Sequence, residues 1–121
     1  MKKFQIEFYQ TDAGECPVEK FLLSVDKKMR AKLLGIMGIL EEKGNLLREP
    51  YSKYLRDGIF EMRGIVGTDI SRVLYFFYDG GKIIFTNGFI KTTQKTPKAE
   101  IDRAKKYKRD YMERCKKYEK I

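Results

Sequence analysis

Apolar and polar positions alternate clearly enough along this chain to divide it into elements. Lys3-Phe4-Gln5-Ile6-Glu7-Phe8-Tyr9 alternates with period two, the pattern of a half-buried first strand. Pro17 to Leu23 reads as a short helix. After Ser24 a second helical pattern places Met29, Leu33, Ile36 and Leu40 on one face, with Lys27, Lys28, Lys32 and Glu41 on the others. Gly35 and Gly38 each cost about 1 kcal/mol in a helix interior relative to alanine, which predicts close approach to another element there. Lys43-Gly44-Asn45 stops this helix, and Pro50 marks a connecting loop. Three strand-like runs follow, Ile59 to Val66, Ile70 to Tyr78 and Lys82 to Ile90. Asp57-Gly58, Gly67-Thr68-Asp69 and Asp79-Gly80-Gly81 separate them, and turns that short predict an antiparallel meander. Thr96-Pro97 reads as the start of a last helix over roughly 97–118, with the threonine as N-cap and the proline at the first helical position. Ile101, Ala104, Tyr107, Tyr111 and Cys115 lie near one stripe of it, and its tyrosines are expected to pack rather than to stack on bases. The predicted order is β-α-α-β-β-β-α, an α+β fold.

Composition narrows the setting. A chain of 121 residues with 42% apolar residues suits one packed core, hence a single domain over residues 1–121. The net charge of +9 is unevenly spread: residues 95–120 hold eleven Lys/Arg against five Asp/Glu, and the rest fifteen against twelve. That asymmetry suits a polyanionic partner such as RNA, DNA, the ribosome or an acidic protein, although a solvated lysine-rich helix has the same composition. There is no histidine, and Cys16 and Cys115 stand far apart without metal-ligand spacing. No metal and no cofactor are therefore expected, and triads or paired-histidine ribonuclease mechanisms drop out. Proton transfer falls to Glu, Asp, Lys, Tyr or solvent. Gln5, Glu7, Gln10 and Asp12 interrupt any signal-peptide core after Met1-Lys2-Lys3, and no stretch approaches 18 apolar residues. The expectation is a cytoplasmic protein with reduced thiols and no membrane partner.

Alternation in the first meander strand puts Glu61 and Arg63 on one face and Phe60 and Met62 on the other. If the apolar pair packs on the helices, carboxylate and guanidinium face out together. Arg72 precedes Val73-Leu74-Tyr75-Phe76-Phe77, a run apolar enough to be buried on both sides, so this arginine needs a partner or solvent. Lys91 and Lys95 follow the last strand, and the loop before the meander adds Lys53 and Arg56. A basic concave surface enclosing one acid is the constellation that emerges. Guanidinium groups fork onto phosphate oxygens and stabilise a pentacoordinate phosphorane. Cleavage of RNA by 2′-hydroxyl attack also needs a base and an acid. Glu61 is one candidate base; a lysine crowded by like charge gives up its proton more readily, and Lys91 and Lys95 are placed for that. The same residues also fit a plainer account. Glu61 and Arg63 would pair with charges on a neighbouring strand, an exposed arrangement worth about 0.2–1 kcal/mol, and the threonines and Gln94 would satisfy the backbone of a strand-to-helix loop.

The segments KYLRDGIFEMR (53–63), RVLYFF (72–77) and GFIKTTQKTP (88–97), in that order, resemble the HigB-like branch of the RelE/ParE toxin superfamily. The resemblance implies the compact RelE fold, a curved antiparallel sheet with helices packed on one face. It also implies the toxin of a type II toxin-antitoxin pair, an endoribonuclease that cuts mRNA in the ribosomal A site without a metal. By the same resemblance Glu61, Arg63, Arg72, Lys91 and Lys95 are the expected catalytic residues, with Arg72 on the scissile phosphate, and Lys53, Arg56, Thr92 and Thr93 the expected RNA contacts. The chain departs from the commoner signature at Lys91-Thr92, where two lysines are usual, and lacks a histidine that some relatives carry nearby. Expected partners are a cognate antitoxin of the HigA helix-turn-helix type, the ribosome with its mRNA, and operator DNA through the antitoxin complex. The ParE branch, which shares the fold and poisons DNA gyrase, and a nucleic-acid-binding regulator acting with its antitoxin are the alternatives.

Overall fold

Strong period-two segments joined by tight turns leave the chain little choice but a sheet. The computed structural model, which describes residues 3–91 and 94–119, contains one sheet of five strands. These are β1 (Gln5–Phe8), β2 (Ser52–Arg56), β3 (Ile59–Val66), β4 (Asp69–Tyr78) and β5 (Lys82–Ile90), ordered β1-β5-β4-β3-β2. Three helices complete the fold, α1 (Pro17–Ser24), α2 (Lys27–Lys43) and α3 (Lys98–Glu119). The α+β class and the meander β3-β4-β5 are as the pattern predicts. Asp57-Gly58 adopts positive φ at both residues, the twist that the two-residue turn between Arg56 and Ile59 demands, and Asp79 and Gly80 also have positive φ in the three-residue turn between Tyr78 and Lys82.

Three expectations are corrected. The segment taken as a loop around Lys53 and Arg56 is the edge strand β2, paired antiparallel with β3, so the order gains a strand. Its exposed positions carry Lys53, Tyr54 and Arg56, a composition without the apolar alternation that marks a half-buried strand. Secondly, β1 pairs parallel with β5, making the sheet mixed rather than wholly antiparallel. The connection through α1 and α2 brings β2 in opposite to β1 at the far edge, and the three reversals from β2 to β5 then leave β5 running parallel to β1. Thirdly, the helices do not share one face. α1 and α2 pack on Met62, Val73, Tyr75 and Phe85, whereas Ala104 of α3 belongs to a second core with Tyr9, Ile59, Leu74, Phe76 and Ile84. Because β4 is apolar on both sides, each face needs a cover.

Local chemistry fixes the helices. Asp26 caps α2 by accepting from Met29 N at 2.9 Å, and Arg30 donates from Nε to the Leu22 carbonyl at 2.7 Å, satisfying the end of α1. The α3 stripe packs as expected: Tyr107 stacks on Tyr9 at 4.6 Å, and Tyr111 meets Phe76 edge-on at 5.7 Å. The Tyr9 hydroxyl donates to Asp110, and Tyr111 donates to Glu7 at 2.8 Å, tying α3 to the first strand and the loop after it. Burial first, then the bond to Asp110, pushes the Tyr9 phenol up to about 12. In the unfolded chain the same phenol ionises near 10, so its contribution to stability is full below pH 10 and is lost as pH rises from about 10 to 12. Comparing alkaline unfolding of the protein and of Tyr9→Phe should show that decline shrink in the variant.

Gly35 and Gly38 face open space, with nothing within 4 Å of a Cβ placed on either, so the predicted close approach is absent there. It occurs instead at Gly64 on β3, where an added Cβ would lie 2.6 Å from Leu33 Cδ2. Gly35→Ala is therefore expected to stabilise by up to about 1 kcal/mol and Gly64→Ala to destabilise by about 1–3 kcal/mol. Urea unfolding of the two variants reads both signs.

Candidate active site

The β3–β4 register places Arg63 directly opposite Arg72, and Lys53 opposite Glu61. All four side chains point to the face that α3 covers, because Ile59 and Leu74 share that parity and belong to the α3 core. Two guanidinium groups side by side repel, and Glu61 resolves the conflict. Its Oε1 lies 3.0 Å from Arg63 Nε and 2.8 Å from Arg72 Nε, the latter an ion-pair contact outside hydrogen-bond alignment. Its Oε2 accepts from Arg72 NH1 at 3.4 Å. Glu61 is 0% exposed and Arg72 1%, while the Arg63 side chain keeps some exposure. Burial lowers the Arg72 guanidinium from its ordinary value, the Glu61 carboxylate opposes that, and Arg63 adds to it. Starting above 12, the group stays charged.

The segment between β5 and α3 closes over this cluster. Arg72 NH1 donates to Thr96 Oγ1 at 3.0 Å and NH2 to the Gln94 carbonyl at 3.2 Å, while the Thr96 hydroxyl donates to Glu61 Oε2. Helix α3 begins one residue later than predicted, with the Pro97 carbonyl accepting from Glu100 N and Ile101 N, and the Thr96 hydroxyl is turned to the carboxylate. Glu61 is thus not solvent-facing as the alternation suggested. Period two identifies a face but not whether another layer covers it.

Around the cluster opens a cleft of about 700 Å³. Lys53, Arg56, Lys95 and Lys98 supply positive charge at its walls, Leu55, Pro97 and Ile101 supply apolar surface, and Glu61, Arg63 and Arg72 form part of its lining. Of the expected site residues, Lys53, Arg56, Glu61, Arg63, Arg72 and Lys95 therefore come together. Lys91 is not among the described residues lining the cleft; it stands at the end of β5, its N–H donating to the Ile70 carbonyl at 2.9 Å. Thr92 and Thr93 lie outside the described residues. Lys98 and the supporting roles of Thr96 and Gln94 escaped sequence reasoning, although the signature containing Gln94 and Thr96 was legible. A charged floor with a fork of N–H donors, walled by cations, is chemically suited to a phosphodiester.

The family model described as "Phage derived protein Gp49-like (DUF891)" matches residues 20–109. That span contains every residue lining the cleft. No curated protein matches the chain. The chain therefore belongs to the Gp49-like family of phage-derived proteins, a family associated with RelE-like toxins.

Proposed function

We propose that this protein is the toxin of a type II toxin-antitoxin pair and that it cleaves mRNA on the ribosome by metal-independent 2′-hydroxyl attack. The observation that carries the reading is Arg72, buried, braced by Glu61 and opening on a cleft walled by lysines and arginines. In this reading Arg72 and Arg63 hold the scissile phosphate and stabilise charge as the phosphorane forms, while Lys53, Arg56 and Lys98 draw the RNA backbone into the cleft. Glu61, both of whose carboxylate oxygens are engaged by Arg63, Arg72 and Thr96, acts through the two arginines it orients. Lys95, which lines the same cleft, is the group placed to exchange protons with substrate or leaving oxygen. Lys91 contributes charge from the strand end.

The family association supports an antitoxin partner, which we propose to be of the HigA helix-turn-helix type, and the net charge of +9 suits an acidic protein as well as RNA. Operator DNA would be reached through that complex. Pulse-labelling of cells expressing the chain alone tests the reading. Methionine incorporation should collapse within minutes while thymidine incorporation continues. DNA damage with uninterrupted translation would overturn it in favour of a gyrase poison.

A further inference from the structure

We infer that Thr96 is a positioning residue for Arg72, held in place by an anchor at the start of α3; the inference rests on reading the cleft as an RNA-cleaving site. Strand β3 alone does not fix the Arg72 guanidinium, since Glu61 touches only Nε and NH1. The remaining constraint comes from Thr96 Oγ1 on NH1 and the Gln94 carbonyl on NH2. A hydroxyl is suited to this position because it accepts from a guanidinium and donates to a carboxylate at once, and Thr96 does both.

Thr96 in turn is held by the first turn of α3. Asn87 on β5, 2% exposed, donates from Nδ2 to the Glu100 carbonyl at 3.3 Å and to Glu100 Oε1 at 3.0 Å. A bulge in β5 makes this possible. The register slips between Leu74 and Tyr75, the Thr86 hydroxyl donates to the Leu74 carbonyl, and Asn87 is thereby brought opposite Leu74 on the α3 face. Without the slip, alternation would aim Asn87 at α1. The bulge, the Asn87–Glu100 clamp and the Thr96 hydroxyl thus form one chain of support ending on the guanidinium. Attraction of RNA depends on the exposed cations, so loss of this support should appear in the chemical step rather than in binding.

Thr96→Val keeps the shape and removes the hydroxyl, and Thr96→Ser restores it. Cleavage of mRNA on ribosomes should show kcat reduced by about 10- to 100-fold in the valine variant with KM within about threefold, and near wild type in the serine variant. The Arg72 Nε–H resonance, assigned by its loss in Arg72→Lys, should be sharp in wild type and Thr96→Ser and broadened in Thr96→Val. A valine variant with wild-type kcat or an unchanged Arg72 resonance overturns the inference, as does a serine variant as impaired as valine. If wild type cuts no RNA while valine still broadens the resonance, the RNA-cleaving reading falls and the positioning of Arg72 stands.

Discussion

Arg72→Lys is expected to lower the rate of mRNA cleavage by about 10²- to 10³-fold, the usual loss when one preorganised donor to a developing oxyanion is removed. A lysine keeps the positive charge beside Glu61, so the buried pair is not stranded and the fold should survive. What it loses is the planar fork. The wild-type guanidinium meets Glu61 with Nε and NH1, Thr96 with NH1 and Gln94 with NH2, and that fixed plane presents its donors to a phosphate in one orientation. An ammonium on a flexible stem cannot reproduce three separately aimed contacts. Retained far-UV circular dichroism with lost cleavage is the result expected, and near-wild-type cleavage by the lysine variant would remove Arg72 from the chemistry.

Glu61→Ala is expected to show the largest effect on stability, a loss of about 3–5 kcal/mol. The substitution strands Arg72, 1% exposed, beside the like charge of Arg63 with no carboxylate between them. For a domain of this size each kcal/mol moves Tm by about 3–6 °C, so the melting point should fall by 10 °C or more. Glu61→Gln keeps an acceptor for the arginines and should cost less. The cycle with Arg72→Ala separates charge stranding from lost packing. If burial of an unpaired charge dominates, the double variant loses markedly less than the sum of the two single variants. Additive losses would mean that Glu61 and Arg72 do not hold one another.

These effects were only partly legible in the sequence. Alternation correctly placed Glu61 and Arg63 on the face away from Phe60 and Met62, and the apolar run after Arg72 correctly announced a strand buried on both sides. The need of Arg72 for a partner followed from the same run. Its identity did not, since Glu61 and Arg72 are brought together by cross-strand register, a long-range property that turn lengths constrain but do not fix. β2 escaped because an exposed edge strand need not alternate, and α3 changed face because a stripe of apolar positions says that a helix packs without saying on which side. Thr96 was read as a cap on sound local grounds. Tertiary contact then recruited the hydroxyl to a carboxylate thirty-five residues away in the chain. Lys91 illustrates the reverse case, a signature residue that the strand end leaves outside the cleft lining.

The most direct test is primer-extension mapping of an mRNA in a reconstituted translation system, with the wild-type protein and Arg72→Lys, with and without ribosomes. Cuts within A-site codons that require ribosomes and fade in the variant are predicted. A folded wild-type protein that leaves the message intact under both conditions would contradict the account.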